Sequence, residues 1–397
     1  MLCLADYLDG LPQRANLTLG IGVQLAYSLK LLKAGNLANL TEREDVACCC
    51  WSLFALERLF SIASGTGHIM IQESHLPRYP SPPKLPPHVR AQVEGNRESR
   101  NPSPDSPLDI GMTGCCLQIT SAWGRVMRYA IEYRDAQMPE LPWMADSEYS
   151  RIQAQIQHFE TIWPEEHRWA NVGFVEQTRE QVHEFQGYWS SWLFMQFGFH
   201  SSLALLNHPL FSLHLPPAYT KIPLSFADST SNQARYHTKW VAYFVRLIVD
   251  KKIKVTDPFL AFTAAIAASI IYLNSRVDEQ EAAERGKLNV ELCYHFVQGM
   301  GALMPVLADL ARKLAALIQN YEYPIDTELI WSIIEYTKTI SPGSRDLQFQ
   351  EVSGLESAGA SGENDIPQSE NSTGGALTFP PQASMALNLE QISFPTF

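Results

Sequence analysis

The sequence predicts an all-α fold, and three observations predict it. Apolar residues recur at spacings of three and four, the period of helices that turn one face to a core. No stretch alternates apolar and polar residues as a half-buried strand would. Prolines gather where helical runs stop, above all between residues 80 and 107. Hydrophobic residues make up 46% of the 397, enough for a large core. Length alone, at ~150 residues per domain, suggests two or three domains. The continuous helical pattern argues instead for one helical domain over 1–340, followed by a tail over 341–397.

Taken in order, Ile21, Leu25, Leu29 and Leu32 form the first stripe. Thr41 and Glu44 then stand in the spacing of a capping box, in which hydroxyl and carboxylate each take an orphan backbone N–H. The run from Val46 to Ala63 is apolar almost all round, which predicts a buried helix carrying Trp51. Cys48, Cys49 and Cys50 read as small hydrophobes of that core helix. Gly65-Thr66-Gly67 reads as its C-cap rather than a phosphate cradle. Eight prolines between 80 and 107 predict an exposed, proline-rich loop over about 80–110.

Helices are expected again from Met112 to Ala136 and from an Asp146 N-cap to Trp163, where Pro164 stops the second. An aromatic-rich helix is expected over 174–206, ended by His208-Pro209. After a loop marked by Pro216, Pro217 and Pro223, helices are expected near 235–250, 258–275 and 283–320. Residues 258–275 carry no charge, but they open on proline and include Thr263, Ser269 and Asn274. A spanning helix needs ~20 largely apolar residues, so this run is expected in a core rather than a membrane. Leu303, Leu307, Leu310, Leu314, Leu317 and Tyr321 fall on a coiled-coil spacing. They are too few heptads for a coiled coil, and core packing is favoured over a dimer seam.

The tail changes composition. From Gly343 onward, seven acidic residues stand against Arg345 in a Ser- and Gly-rich stretch, which predicts disorder. Phe379, Met385, Leu387, Leu389, Ile392, Phe394 and Phe397 then punctuate it, a composition that recurs in activation domains.

Charge and cysteines bound the function. A formal charge of −12 argues against a chain that grips nucleic acid by itself, since phosphate contacts need a basic face. Seven cysteines without a framework predict reduced thiols, as in a cytosolic or nuclear protein. No Cys-x-x-Cys pair offers the short spacing of a zinc site, and adjacent cysteines on a helix point about 100° apart. Glu180 and His183 match half of a di-iron motif, but the second copy such sites need is missing. There is no Gly-x-Ser-x-Gly elbow and no Walker lysine. His200 and His208 have no nearby carboxylate in sequence to orient them, so structural roles are expected. Glu57 and Arg58 are the only charges between Asp45 and Glu73. Set in an apolar helix, they are expected to form an ion bridge, or else to contact a ligand.

These segments together resemble the fungal-specific transcription factor domain, the regulatory or middle homology region of zinc-cluster regulators of the xylanolytic-activator type. Leu19-Gly20-Ile21-Gly22-Val23-Gln24-Leu25-Ala26 is similar to one of its helices. Its most recognisable stretch is matched by Glu42-Arg43-Glu44, Trp51, Leu56-Glu57-Arg58, Ser61, Gly65 and Leu76-Pro77. Further likenesses are Trp123-Gly124-Arg125-Val126, Phe159 to Pro164, Leu206-Asn207-His208-Pro209 and Asp257-Pro258-Phe259. The family's arginine pair before the tryptophan is replaced by Cys48-Cys49-Cys50, its Asp-Arg by Glu57-Arg58, and its Gly-Arg-Pro by Gly65-Thr66-Gly67.

The resemblance implies a nuclear regulator of RNA polymerase II transcription rather than an enzyme. Trp51, Glu57, Arg58, Ser61, Gly65 and His208 are its expected regulatory-core positions. It implies no catalytic, cofactor or metal site in this chain. Zinc, and contact with DNA, belong to a six-cysteine cluster that is missing from these residues. Expected partners are other transcription factors or coactivators, with a homodimer and a small-molecule effector also allowed. The alternatives are a helical enzyme that binds a small molecule, and a scaffold or inhibitor that pairs with a full-length relative.

Overall fold

The computed structural model describes residues 2–33, 40–64, 70–99, 110–135, 140–213 and 221–337. By backbone contacts the chain divides into two units, Met1–Ile340 and Ser341–Phe397. The tail, and with it every expectation about 341–397, lies outside the described residues. The first unit is all-α, with no strand among the described residues.

The helices run α1 (Leu2–Leu8), α2 (Pro12–Ser28), α3 (Leu40–Leu56), α4 (Pro87–Ser99) and α5 (Gly111–Arg134). They continue with α6 (Glu148–Ile162), α7 (Trp169–Val172), α8 (Arg179–Glu184), α9 (Gln186–Leu206) and α10 (Pro209–Leu213). The last five are α11 (Leu224–Asp250), α12 (Pro258–Ser275), α13 (Gln280–Gly301), α14 (Pro305–Gln319) and α15 (Thr327–Ile334).

The centre is α12. It packs on α9, α11, α13, α14 and α15, while α9 in turn packs on α5. Small residues let so many helices approach it: Ala261, Ala264, Ala265, Ala267 and Ala268 are all buried. Its length and composition would suit a membrane span, but 17 of its 18 residues are buried inside the protein and Asn274 is half-buried. Asp257 opens it, its side chain accepting from the Phe259 N–H at 3.0 Å, and Pro258 fills the first position, where no N–H is needed.

Several expectations are corrected. Ile21, Leu25 and Leu29 do not face the core; they are 54%, 56% and 66% exposed. Ala15, Leu19, Val23 and Ala26 are buried instead. α2 is apolar on both faces, so periodicity alone picks no winner. The capping box fails at Glu44, whose carboxylate accepts from the Ser81 N–H at 2.6 Å; the Thr41 side chain lies outside the described residues. Cys48 and Cys49 are exposed and only Cys50 is buried, so the helix has an outer face after all.

The proline-rich loop over 80–110 contains α4. Pro86 and Pro87 sit where a helix begins, not inside one, and Val89 and Val93 share a buried face. His88 Nε2 lies 2.9 Å from the Val172 carbonyl, and Gln92 donates to that of Asn171. Ser147, not Asp146, caps α6. The expected helix over 174–206 is divided at Phe185, and Pro209 starts α10 as well as ending α9.

α11 begins eleven residues before the expected 235, at Leu224. Its polar opening reads as loop, but Phe226 packs on Trp143 and Tyr149. The expected helix over 283–320 is broken before Pro305 into α13 and α14. Leu307, Leu310, Leu314 and Leu317 are buried, as core packing requires, whereas Leu303 is 79% exposed.

Candidate functional site

The expected regulatory-core positions fall into two neighbourhoods. Trp51, Glu57, Arg58 and Ser61 lie on successive turns at the end of α3. His208 lies elsewhere, between α9 and α10. Gly65 is outside the described residues.

In the first neighbourhood Trp51 is buried, and its indole N–H is shared between the carbonyls of Pro77 and Arg78, at 3.1 and 3.2 Å. Its ring packs on Tyr79 and Phe54. After Leu56 the helix widens into a π-turn over Glu57–Ser61, every residue of which is buried. Arg58 pairs with the carboxylate of Glu57 and donates to the Ile71 carbonyl at 2.8 Å. Glu57 accepts from the Met70 N–H at 2.6 Å and from Ile71 N–H at 3.4 Å. The guanidinium also lies 4.6 Å from the Phe54 ring centroid. Burial pushes the Glu57 carboxyl up from its ordinary range and the Arg58 guanidinium down; each opposes the other's shift.

The pair thus forms an ion bridge that pins residues 70–71 through their backbone groups. Room for Arg58 comes from Gly124 on α5, where a Cβ would stand 2.4 Å from Arg58 Cδ. The π-turn carbonyls reach the far end of the domain: Leu59 O accepts from the Tyr336 hydroxyl and Phe60 O from Thr337 Oγ1. Trp123 donates to the same Tyr336 hydroxyl at 3.3 Å.

In the second neighbourhood His208 Nδ1 accepts from the Leu210 N–H at 3.1 Å, and its Nε2 meets Ser269 Oγ on α12 at 3.1 Å. Accepting at Nδ1 places the proton on Nε2. Burial pushes His208 down to about 3, so the ring is neutral. It borders a cleft walled by Tyr129, Tyr133, Trp143, Tyr149, Phe211 and Phe226. That cleft holds about 30 Å³, room for one water. Tyr149 donates to Asn207 Oδ1 at 2.8 Å and Tyr133 to the Phe211 carbonyl at 2.6 Å.

Tyr129 also borders a polar cleft of about 340 Å³ between α5 and α6. Arg125, Arg128 and Arg151 line it with Glu132, Glu140 and Glu148. Glu148 binds both Arg125 and Arg151. Sequence reading missed this cleft. Its arginines on α5 do stand at helical spacing, the one signal available.

The other histidine singled out, His200, faces His237, with their Nδ1 atoms 2.9 Å apart. Gln233 Oε1 accepts from His237 Nε2, so His200 Nδ1 is the donor between the rings. Burial lowers both, His237 to about 3. Glu180 and His183 gather no third ligand, and no group of three metal-ligating side chains occurs among the described residues.

Compared with family models, with curated proteins and with solved structures, the chain finds no match in any of the three.

Proposed function

We propose that this chain is a transcriptional regulatory module of the kind its motifs resemble, a helical body that controls a DNA-bound complex through contacts at its surface. One observation carries the reading: the separately resembling segments meet one another in space. Trp51 bonds the carbonyls of Pro77 and Arg78. Arg58 lies in the notch of Gly124. Trp123 packs edge-on against Phe259, with centroids 5.2 Å apart. His208 reaches Ser269 on the helix that Asp257-Pro258-Phe259 opens. Four of these segments thus form one connected framework inside the domain.

The test is to tether the full chain to a heterologous DNA-binding domain and read a reporter. A several-fold change in output, relative to the tethering domain alone, is expected. A folded, nuclear fusion that leaves output unchanged overturns the reading.

A further inference from the structure

Arg128 is a cation that the fold leaves without a partner. It lines the polar cleft between α5 and α6, half-buried, yet makes no hydrogen bond or ion pair among the described residues, and its Nη2 is buried. Buried polar groups are almost always satisfied, because the hydrogen bonds they give up to water must be replaced. The surroundings add to the strain. Arg58 is close enough that the two guanidinium groups repel. The carboxylate that could have offset this, Glu57, is bound to Arg58 and to the N–H groups of Met70 and Ile71. A side chain that weakens the fold where it stands is the mark of a functional position.

The other charges of the cleft say what Arg128 awaits. Glu148 is bound by both Arg125 and Arg151, and Arg125 also donates to Gln155 at 2.6 Å. Glu132 and Glu140 are half-buried and, like Arg128, have no hydrogen bond or ion pair among the described residues. Glu132 follows Arg128 by four residues on one face of α5, with the base before the acid, the poorer order for a helix pair. The cleft thus presents one unpaired guanidinium and two unpaired carboxylates, while its three arginines and three glutamates sum to zero. At about 340 Å³ it has more than ten times the volume of the cleft beside His208.

We propose that this cleft binds a neutral α-amino acid as its zwitterion, with Arg128 taking the carboxylate and Glu132 and Glu140 the ammonium. A guanidinium holds a carboxylate through two parallel N–H···O bonds, which would satisfy the orphaned Nη2. Residues four apart on a helix stand about 5–6 Å apart at Cβ, and an amino acid carries its two charges on one carbon, so a single molecule meets both. A dicarboxylate or a phosphate would pair with Arg128 but face Glu132 and Glu140; a diamine would leave Arg128 as it is. The binding stands on the cleft alone; only the inference that occupancy controls transcription rests on the regulatory reading.

Isothermal titration calorimetry of the full chain with the neutral L-amino acids, each taken to millimolar concentration, tests it. At least one is expected to bind, and its N-acetyl and methyl-ester derivatives, each short of one charge, should bind about tenfold or more weakly. Arg128→Met and Glu132→Gln should each weaken binding by a similar factor. Arg128→Met should also keep or raise the melting temperature of the ligand-free chain, since it removes a guanidinium that the fold does not use. Four outcomes overturn the proposal: no neutral amino acid binds, both derivatives bind as well as the parent, Glu132→Gln leaves the affinity unchanged, or Arg128→Met lowers the melting temperature. Because the purified chain is titrated, the result is separate from that of the tethered reporter.

Discussion

At the scale of single residues, Trp51 and the Glu57–Arg58 pair carry the strongest expectations. Trp51→Ala deletes a large buried aromatic and should cost about 3–5 kcal/mol in a denaturant melt. Trp51→Phe keeps a ring but releases the carbonyls of Pro77 and Arg78; a loss of about 1 kcal/mol is expected. The two variants together separate packing from hydrogen bonding, and equal losses would contradict the split. Glu57→Gln leaves a buried guanidinium without its counter-charge, and about 3–5 kcal/mol should be lost. The double variant Glu57→Gln/Arg58→Met should recover part of that loss, which a double-mutant cycle measures. The pair itself was legible, because two charges in an apolar run must find partners. Its other partners were not: Met70, Ile71 and the notch at Gly124 contribute backbone groups and empty space, which no side-chain pattern encodes.

At the scale of elements, the helices whose core face is unmistakable were the legible ones. α5, α6 and α12 fall within three residues of their expected ends. The errors fall where a local signal competes with packing. In α4, proline density outweighed the Val89/Val93 pair, which becomes informative only in the fold, where α4 packs on the turn Glu165–His167. In α2, two apolar stripes tied, and only the fold could choose between them. α4 offers a direct test. Val89→Asp places a carboxylate at a fully buried position and should release the helix, costing several kcal/mol. Limited proteolysis should then cut within 87–99 much faster than in the parent; an unchanged rate would mean that α4 is not held by this face.

At the scale of the whole molecule, three buried neutral histidines set the acid limit. His208 and His237 are lowered to about 3, and His200 well below its ordinary value, all chiefly by burial. Unfolded, each takes up a proton near pH 6.5, so the unfolded state binds more protons below that pH. Stability is therefore complete above about pH 6.5 and falls as the pH drops, by about 1.4 kcal/mol per pH unit for each histidine. Asp257 works the other way. Burial lifts it to about 6, so between there and its unfolded value the folded state holds the extra proton and gains stability as pH falls. Melts from pH 7 to pH 5 should show the steep net loss, and His208→Gln should flatten it by roughly one histidine's share. A profile flat over that range would show that the rings are not buried neutral. None of this was legible beforehand: His200, His208 and His237 stand apart in sequence, and only the packing of α9, α11 and α12 excludes water from them.

The bond from Tyr336 to Leu59 has a consequence for how the protein is made. Its two ends are 277 residues apart. At ribosomal speeds of about 5–20 residues per second, Leu59 waits roughly 15–55 s for its partner to be synthesised. Through that interval the π-turn and the helix leading into it emerge without their closing contact, their apolar surface open to chaperones. Messages truncated just before codon 336 would yield chains that carry nearly every helix yet never latch. A ribosome-release series should therefore show protease resistance around residue 59 arriving late and abruptly, only after Thr337 has cleared the exit tunnel.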